Sequence, residues 1–316
     1  MSHVVLVLVE TVNDYLPLLE HEGFELILAP TMASRAAAIA EHGARIDAVL
    51  TRGPLGLFAE EMAALPLLKI ICVIGAGYEQ VDLQAASNRG ITVTNGAGAN
   101  ASSVADHAMA LLLSLVRGIP QADTGIRRGE WNKLRQPSVA AKRMGIVGLG
   151  AVGLAIAKRA ANGFDMSISY HNRQPRPDTP YTYCASVAEL AAAVDFLIVA
   201  TPGGSDTRHL VDAPVLDALG PHGYLINIAR GSVIDTDALI AALASARIAG
   251  AGLDVFDHEP QVPDALKTLG NVVMTPHMGG QSPEAAQGTV QLVVNNLLAY
   301  FSGQPVLTPV RLPTPV

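Results

Sequence analysis

The amino-acid sequence predicts an α/β fold made of two parallel β-sheets, each with helices on both faces. Short apolar segments alternate with helical segments along nearly the whole chain, which is typical of parallel βαβ units. The chain has 316 residues, more than one hydrophobic core usually supports. Two long helical segments, one after the first third and one near the end, interrupt the alternation. Together these observations predict two doubly wound domains, one inserted into the other.

The composition is typical of a compact globular protein. Half of the residues are apolar and 16% are charged, so no disordered tail is expected. The net charge of −7 argues against nucleic acid or an anionic membrane as a partner. No apolar run is long enough to span a membrane, and the first residues begin a strand instead of a secretion signal, which predicts a cytoplasmic protein. Cys72 and Cys184 lack the spacing of zinc ligands, so we expect reduced thiols and no metal site.

The first predicted domain is discontinuous and contains residues 1–98 and 284–316. Its predicted strands are Val4–Val9, Phe24–Leu28, Ala48–Thr51 and Lys69–Ile74, and its predicted helices are Asp14–Glu20, Ser34–His42 and Glu60–Leu65. A closing helix, Ser282–Tyr300, is apolar on one side and is expected to return the chain to this domain. We predict a flavodoxin-like sheet here.

The second predicted domain contains residues 99–283. It begins with a long helix at 99–117, which has a polar start and few helix-breaking residues, and which we expect to cross between the domains. A loop at 129–137 with the only tryptophan, Trp131, leads to the next strand.

A glycine-rich turn follows that strand. The apolar run 144–147 enters a turn with Gly148, Gly150 and Gly153, and an alanine-rich helix leads to a second apolar run at 166–170. In this arrangement the first glycine permits the tight turn, the second lets the backbone approach a pyrophosphate, and the third lets the helix pack on the strand. The start of the helix supplies free N–H groups for phosphates. The pattern predicts a dinucleotide-binding Rossmann fold.

The end of the second strand predicts which dinucleotide binds. An NAD site usually has a carboxylate there for the 2′-hydroxyl of the ribose, but this strand ends in His171, Asn172 and Arg173, with Arg176 nearby. A guanidinium group suits a 2′-phosphate, so Arg173 favours NADPH, with NADH possible as a second cofactor. The alternative is a solvated basic loop without a ligand.

Strands and helices continue to alternate up to residue 275. The predicted strands are Asp195–Thr201, Tyr224–Ala229, Gly252–Phe256 and Val272–Thr275, and the predicted helices are Val187–Ala193 and Thr236–Ala246. Ligands of such sheets bind beyond the carboxyl ends of the strands, so the residues that follow each strand are informative.

Three of these strand ends carry residues suited to carbonyl reduction. Arg230 suits a carboxylate and a neighbouring carbonyl oxygen, although a structural salt bridge is the alternative. His277 follows the last strand, and alone it would more often be a structural histidine. Glu259 could orient the imidazole and keep it protonated, since a nearby carboxylate raises the pKa of a histidine. The three together supply a cation, a proton donor and a partner for the donor.

These motifs resemble the D-2-hydroxyacid dehydrogenase family, and within it the glyoxylate/hydroxypyruvate reductase branch. The similar segments are G-A-G-Y-E-Q-V-D-L at 75–83, G-L-G-A-V-G at 148–153, N-I-A-R-G at 227–231, G-L-D-V-F-D-H-E-P at 252–260 and T-P-H-M-G-G at 275–280. They follow the order of the family over nearly the whole chain. Glu79 and Asp106 depart from the family's usual residues but keep the charge.

The resemblance implies an enzyme whose active site lies in the cleft between the two domains. Arg230 would bind the 2-oxoacid, His277 would be the acid and base, and Glu259 would be its partner. Hydride transfer from the nicotinamide to the 2-oxoacid would then need no metal. The implied cofactor contacts are Val104, Gly148, Gly150, Ala151, Val152, Gly153, His171, Asn172, Arg173, Thr201, Pro202, Thr207, Ile228, Ala229, Arg230, Asp254, His277 and Gly279.

The resemblance also implies the substrate contacts. Backbone N–H groups of Gly75, Ala76 and Gly77 would bind the carboxylate, and the loop at 51–57 would contact the substrate's side chain. Within that loop, Arg52 favours a polar group and Leu55 a small apolar one, so two substrate classes stay open. These are glyoxylate and hydroxypyruvate, or a larger 2-oxoacid such as 2-ketogluconate or phenylpyruvate.

Two further expectations concern partners. The resemblance suggests a homodimer formed largely by the crossing helix and a loop at 118–140. A different class of function also uses this fold, because the C-terminal-binding transcriptional corepressors sense dinucleotides and keep the Arg, Glu and His. The lack of a tail or basic patch weighs against that alternative.

Overall fold

The chain forms two compact units in the computed structural model, which describes residues 2–316. Unit 1 contains the residues up to Asn100 and Gly280–Val316, and unit 2 contains Ala101–Gly279. The divisions fall after residues 100 and 279, compared with the predicted divisions after residues 98 and 283.

Unit 1 is built on a five-stranded parallel sheet in the order β2-β1-β3-β4-β5, which is the predicted flavodoxin-like order. Its strands are β1 (Val4–Val7), β2 (Glu25–Leu28), β3 (Ala48–Arg52), β4 (Ile70–Ile74) and β5 (Thr92–Asn95), and its first helices are α1 (Pro17–His21), α2 (Met32–His42), α3 (Ala59–Ala63) and α4 (Leu83–Asn88). Strand β5 and helix α4 were not predicted from the sequence, because both are short and rich in polar residues.

The apolar runs of unit 1 form strands because the sheet has a core on each face. In β1, Val4 and Leu6 pack into one core and Val5 and Val7 into the other, so all four are buried. A strand that is buried on both faces shows a continuous apolar run without alternation.

Unit 2 is built on a seven-stranded parallel sheet in the order β12-β11-β10-β9-β6-β7-β8. Its strands are β6 (Arg143–Val147), β7 (Ser167–His171), β8 (Thr182–Tyr183), β9 (Phe196–Val199), β10 (Tyr224–Asn227), β11 (Gly250–Leu253) and β12 (Val272–Met274). Its helices are α5 (Ala101–Val116), α6 (Ile119–Arg127), α7 (Ala151–Phe164), α8 (Val187–Ala192), α9 (Ala213–Leu219), α10 (Thr236–Ala244) and α11 (Asp264–Thr268). The strand order reverses between β6 and β9, and ligands of such sheets bind at this switch point. The predicted fold class of two doubly wound parallel sheets is therefore confirmed.

The segment 118–140 was predicted as a loop but contains a helix at its start, whereas the predicted loop at 129–137 is confirmed. Gly118 ends α5 in the left-handed conformation with φ 62°, and α6 then begins with Pro120 in its first turn. None of the residues of α6 is buried within the chain. Its apolar residues Ile119, Ala122 and Ile126 lie at helical spacing, but they are few, and Pro120 and Gly125 favour a loop in the sequence.

The last helix, α12 (Pro283–Phe301), belongs to unit 1. Ser282 caps it by accepting a hydrogen bond from the N–H of Ala285 at 3.1 Å. Its apolar face includes Val290, Val294 and Leu297 and packs into the same core as the inner residues of β1, β3 and β4.

Both cysteine thiols are free and buried. Burial raises the pKa of the Cys72 thiol to about 12, although a hydrogen bond with Thr94 acts in the opposite direction. Within residues 2–316 no helix is long and apolar enough to cross a bilayer. The same residues contain no group of three or more His, Cys, Asp or Glu side chains arranged to hold a metal ion.

Candidate active site

The glycine-rich turn at the start of α7 contains three glycines, and the surroundings of each differ. Gly148 has a φ of 98°, and a Cβ there would lie 2.8 Å from the carbonyl oxygen of Ala200. A Cβ at Gly153 would overlap the carbonyl oxygen of Gly148, so the helix and the turn are in direct backbone contact. At Gly150 nothing lies within 4 Å of an added Cβ. The chain itself therefore requires the first and third glycines, whereas the space at Gly150 fits a bound dinucleotide phosphate at a helix N-terminus.

The loop after β7 holds this turn in place. Asn172 accepts a hydrogen bond from the N–H of Leu149 at 2.7 Å, and Arg176 donates from Nη1 to the carbonyl oxygen of Leu149 at 2.8 Å. Arg176 also forms an ion pair with Asp178. The sequence predicted Asn172 as a cofactor contact, but in the structure its side-chain oxygen binds the turn itself.

Of the three residues predicted to contact the adenosine ribose, Arg173 alone makes no side-chain hydrogen bond within residues 2–316. His171 donates a hydrogen bond from Nδ1 to the carbonyl oxygen of Cys184 at 2.9 Å and stacks on Tyr183. Arg173 is exposed and makes no hydrogen bond or ion pair with any other residue in the range 2–316. Its guanidinium group is thus available for an anion.

The loop after β9 lies against the glycine-rich turn. A Cβ at Gly148 would also lie 2.8 Å from the N and Cα of Thr201. The hydroxyl of Thr207 donates to the carbonyl oxygen of Pro202 at 2.8 Å and closes this loop. The structure thus brings Thr201, Pro202 and Thr207 to the switch point of the sheet, as expected for adjacent strand ends.

Arg230 follows β10 in a turn that depends on the buried side chain of Asn227. The Asn227 amide donates to the carbonyl oxygen of Arg230 at 3.0 Å, and its oxygen accepts from the N–H of Ala229 at 3.0 Å. The aliphatic part of Arg230 lies beside Gly203, where an added Cβ would come within 2.7 Å of Cγ. Asn227 was not predicted as a site residue, although a polar residue at the end of a buried strand was a usable signal.

The turn after Arg230 is in backbone contact with the segment that carries Glu259. A Cβ at Gly231 would overlap the peptide group between Phe256 and Asp257. The arginine and the glutamate are therefore carried on touching stretches of main chain.

Glu259 and His277 form a hydrogen-bonded pair. One carboxylate oxygen accepts from Nδ1 of His277 at 2.7 Å, and the other accepts from the N–H of Phe256 at 2.9 Å. Partial burial would raise the pKa of the Glu259 carboxyl, but the hydrogen bonds from His277 and Phe256 and the charges of His277 and Arg230 together hold it below its usual range. Glu259 is therefore an ionised acceptor that fixes the imidazole with hydrogen on Nδ1. Nε2 of His277 has no hydrogen-bond partner within the described chain.

The backbone of His277 is strained. Its φ is 52°, in the left-handed region, which costs a non-glycine residue about 1 kcal/mol or more. Asp254 holds this turn, because its carbonyl oxygen accepts from the N–H of His277 at 2.8 Å. Its carboxylate, which is 2% exposed as part of the residue, accepts from the N–H groups of Met278 and Gly279, both at 2.9 Å. Asp254, predicted as a cofactor contact, thus has a carboxylate that binds the turn.

The predicted substrate contacts Arg52, Leu55, Gly75, Ala76 and Gly77 lie in unit 1, on two adjacent loops after β3 and β4. A Cβ at Gly53 would lie 2.7 Å from the carbonyl oxygen of Gly77, so the two loops touch. The N–H groups of Ala76 and Gly77 donate no hydrogen bond to any described residue.

Arg35, which was not predicted from the sequence, holds the first of these loops. Its buried guanidinium group donates to the carbonyl oxygens of Leu55 and Gly56, at 3.2 and 3.3 Å, and pairs with Glu61. An arginine inside an alanine-rich helix gives no sequence signal for such a contact.

The remaining predicted cofactor contacts lie on helices α5 and α7 and after strands β10 and β12 of unit 2. Val104 is buried on α5, Ile228 and Ala229 are buried after β10, and Gly279 is buried after β12. Ala151 and Val152 begin α7 beside the glycine-rich turn. The candidate site of unit 2 thus combines a glycine-rich turn at a helix N-terminus, an exposed cation, and an arginine next to a glutamate–histidine pair.

Comparison with known proteins gives the family. The family described as "D-isomer specific 2-hydroxyacid dehydrogenase, NAD binding domain" matches residues 109–279. Hydroxyphenylpyruvate reductase of Plectranthus scutellarioides is 43% identical over 291 residues, covering 91% of this chain and 92% of that protein. Glyoxylate/hydroxypyruvate reductase A of Arabidopsis thaliana is 40% identical over 290 residues, covering 91% of this chain and 92% of that protein.

A solved structure supports the same family assignment. The NADPH-dependent glyoxylate/hydroxypyruvate reductase of Sinorhizobium meliloti, in complex with NADP and malonate, has a TM-score of 0.87 and 40% sequence identity, covering 98% of this chain and 97% of that chain. The chain therefore belongs to the D-isomer-specific 2-hydroxyacid dehydrogenase family and is an NAD(P)-dependent 2-hydroxyacid dehydrogenase.

Proposed function

We propose that the protein reduces glyoxylate and hydroxypyruvate to D-2-hydroxyacids, with NADPH as the preferred cofactor. The observation that carries the proposal is the Glu259–His277 pair, which leaves Nε2 of His277 for a substrate, with Arg230 on a segment in contact with that of Glu259. The relatives that are named as glyoxylate/hydroxypyruvate reductases support this substrate class. Their names also favour catalysis over a dinucleotide-sensing role.

In this mechanism each residue of the pair has a defined task. When bound, the reduced nicotinamide supplies a hydride to the carbonyl carbon of the 2-oxoacid. His277 donates the proton on Nε2 to the carbonyl oxygen as negative charge develops there. Glu259 keeps the ring oriented through Nδ1 and balances the charge of the protonated imidazole. The side chain of His277 is 40% exposed, so solvent can return the proton.

Arg230 binds the substrate carboxylate and polarises the carbonyl group in this proposal. Its planar guanidinium group can donate two parallel hydrogen bonds, which would fix the orientation of the carboxylate and balance its charge. For unit 1 we propose that the N–H groups of Gly75, Ala76 and Gly77 bind carboxylate oxygens, and that Arg52 and Leu55 contact the substrate's side chain.

The test is a comparison of initial rates with NADPH and NADH for glyoxylate, hydroxypyruvate, pyruvate, 2-ketogluconate and phenylpyruvate. We expect the highest kcat/KM for NADPH with glyoxylate or hydroxypyruvate. A higher kcat/KM for an aromatic or sugar acid would replace the proposed substrate class by the larger one. The identity of 43% to a hydroxyphenylpyruvate reductase makes an aromatic 2-oxoacid the second candidate.

The preference for NADPH is proposed to depend on Arg173, the exposed and unpaired guanidinium after β7. Replacing Arg173 by alanine should weaken NADPH binding by about 10–100-fold, since a hydrogen bond to a charged group contributes about 1.5–3 kcal/mol. NADH binding should change by less than about 3-fold, because the 2′-phosphate is absent. Fluorescence titration of both cofactors measures this difference. Arg311→Ala, at an exposed position of unit 1, is the control; equal weakening of NADPH and NADH by Arg173→Ala would refute the assignment.

We also propose a homodimer formed through α6 and the segment that follows it. Four large apolar side chains there are exposed: Ile119 and Ile126 at 54%, Trp131 at 78% and Leu134 at 68%. Such a concentration of exposed apolar side chains is unusual for a monomer. A second copy of the chain that covered these side chains would remove them from water. Sedimentation equilibrium should give twice the monomer mass, and Ile126→Asp with Trp131→Ser should give the monomer mass. A wild-type protein that sediments as a monomer at micromolar concentration would exclude the dimer.

A further inference from the structure

Helix α5 contacts both ends of the turn that carries His277. The hydroxyl of Ser103 donates to the carbonyl oxygen of Gly279 at 2.7 Å, and Nε2 of His107 lies 2.9 Å from the hydroxyl of Thr275. Ser103 and His107 are four residues apart and share one face of the helix. The turn 275–279 is thus held at its first and last residues by one rigid element.

The hydrogen bonds around Asp254 define the proton positions. The hydroxyl of Thr275 lies 2.6 Å from Oδ1 of Asp254, and a carboxylate can only accept, so Thr275 donates this bond. The oxygen of Thr275 must then accept from His107, which places a hydrogen on Nε2 of His107. The same Nε2 lies 3.2 Å from Oδ1 of Asp254.

The packing leaves little room for the turn to move while these contacts exist. The side chain of His107 is 16% exposed and that of Asp254 is 3% exposed. A Cβ at Gly279 would lie 3.0 Å from Oδ2 of Asp254 and 3.3 Å from Cδ2 of His107. Asp254 therefore holds the strained turn through hydrogen bonds from the backbone N–H groups of that turn. His107, on the helix, contacts both Asp254 and Thr275.

We propose that Ser103 and His107 form a clamp on this turn, and that His107 is a positioning residue for His277. His107 acts through Thr275 and Asp254 and holds the left-handed conformation at His277. In that conformation Nδ1 of His277 reaches Glu259. The effect on turnover rests on the proposed role of His277 as the acid, whereas the effect on the geometry of His277 does not.

The test compares His107→Leu, which removes the donor, with His107→Gln, whose amide N–H₂ can still donate to Thr275. Ser103→Ala removes the other half of the clamp, and Ser114→Ala on the same helix is the matched control. Steady-state kinetics give kcat and KM, and fluorescence titration gives the NADPH affinity. Imidazole ¹⁵N NMR of the protein without substrate reports the hydrogen on Nε2 of His107 and the hydrogen-bonded Nδ1 of His277.

We expect His107→Leu to lower kcat by about 10–100-fold, because a small misplacement of a catalytic group can cost about 100-fold, with NADPH affinity within about 3-fold of wild type. The NMR signature of the His277–Glu259 hydrogen bond should weaken or disappear in the same variant. His107→Gln should recover most of the kcat and most of the NMR signature, and Ser103→Ala should lose part of each. Ser114→Ala should match the wild type.

Two results would overturn the clamp. One is an unchanged kcat together with an unchanged His277 signal in His107→Leu, and the other is a His107→Gln variant as impaired as His107→Leu. If His107→Leu does not fold, a Ser103→Ala variant with wild-type kcat and His277 signal would refute the clamp. If no 2-oxoacid is reduced even by the wild type, the proposed function fails, while the NMR comparison still decides whether the clamp exists.

Discussion

Replacing His277 by alanine is expected to lower kcat by about 10²–10⁴-fold, the usual contribution of a positioned general acid. The affinity for NADPH should remain within about 3-fold of wild type, because the cofactor turn and Arg173 lie on other strand ends. Stopped-flow measurement of hydride transfer, with cofactor titration alongside, separates the two quantities. The loss should appear in kcat and kcat/KM together, since the proton is needed only as charge develops.

Two variants serve as comparisons for this result. His222→Ala removes an exposed histidine of unit 2 and should leave the rate unchanged. Glu259→Gln keeps a hydrogen-bond acceptor for Nδ1 but removes the charge, so its rate should lie between those of the wild type and His277→Ala. A His277→Ala enzyme that binds NADPH normally and turns over at the wild-type rate would remove His277 from the mechanism.

Alanine substitutions at three glycines of α7 and its turn should have three separate effects. Gly153→Ala should lower the free energy of unfolding by about 3 kcal/mol, the upper range for overpacking, because its Cβ would overlap the carbonyl oxygen of Gly148. Gly163→Ala, in the same helix with open space around it, should raise that free energy by about 0.5–1 kcal/mol. Chemical denaturation measures both.

Gly150→Ala is the informative member of the series. Its added methyl group has no neighbour within 4 Å and its φ of −80° suits any residue, so the free energy of unfolding should change by less than about 1 kcal/mol. The affinity for NADPH should fall by at least about 10-fold, because the methyl group would occupy the space of a phosphate. A Gly150→Ala protein with unchanged NADPH and NADH affinity would mean that the cofactor does not approach this turn.

The fold, and the strand ends that carry the candidate site residues, could be predicted because they depend on chain order. Parallel strands place their carboxyl ends at one edge of a sheet, so residues such as Arg230 and His277 could be identified from the strands that they follow. Gly148 and Gly153 could be identified because backbone contact between the turn, the strand and the helix leaves a fixed spacing, and Gly150 because of its place between them.

The contacts that support these residues could not be predicted, because they join side chains that are distant in the sequence. Nothing in the sequence around His107 indicates a hydrogen bond to Thr275, 168 residues later. Asn172 shows a related difficulty: its position after β7 is compatible with a ribose contact, but only the structure shows that its oxygen binds Leu149. Helix α6 escaped prediction for a local reason, since its nine residues include few apolar ones together with Pro120 and Gly125.

The backbone contact at Gly231 limits attempts to change the substrate of this enzyme by exchanging loops. Because a side chain at position 231 would overlap the peptide group between Phe256 and Asp257, the two segments can be transplanted only as a pair. A library that varies residues 230–234 while keeping residues 255–260 fixed would mostly sample sequences that cannot close this contact. If the loop at 51–57 contacts the substrate as proposed, it is the better place for such diversity, because Arg35 anchors its main chain independently of the side chains at Arg52 and Leu55.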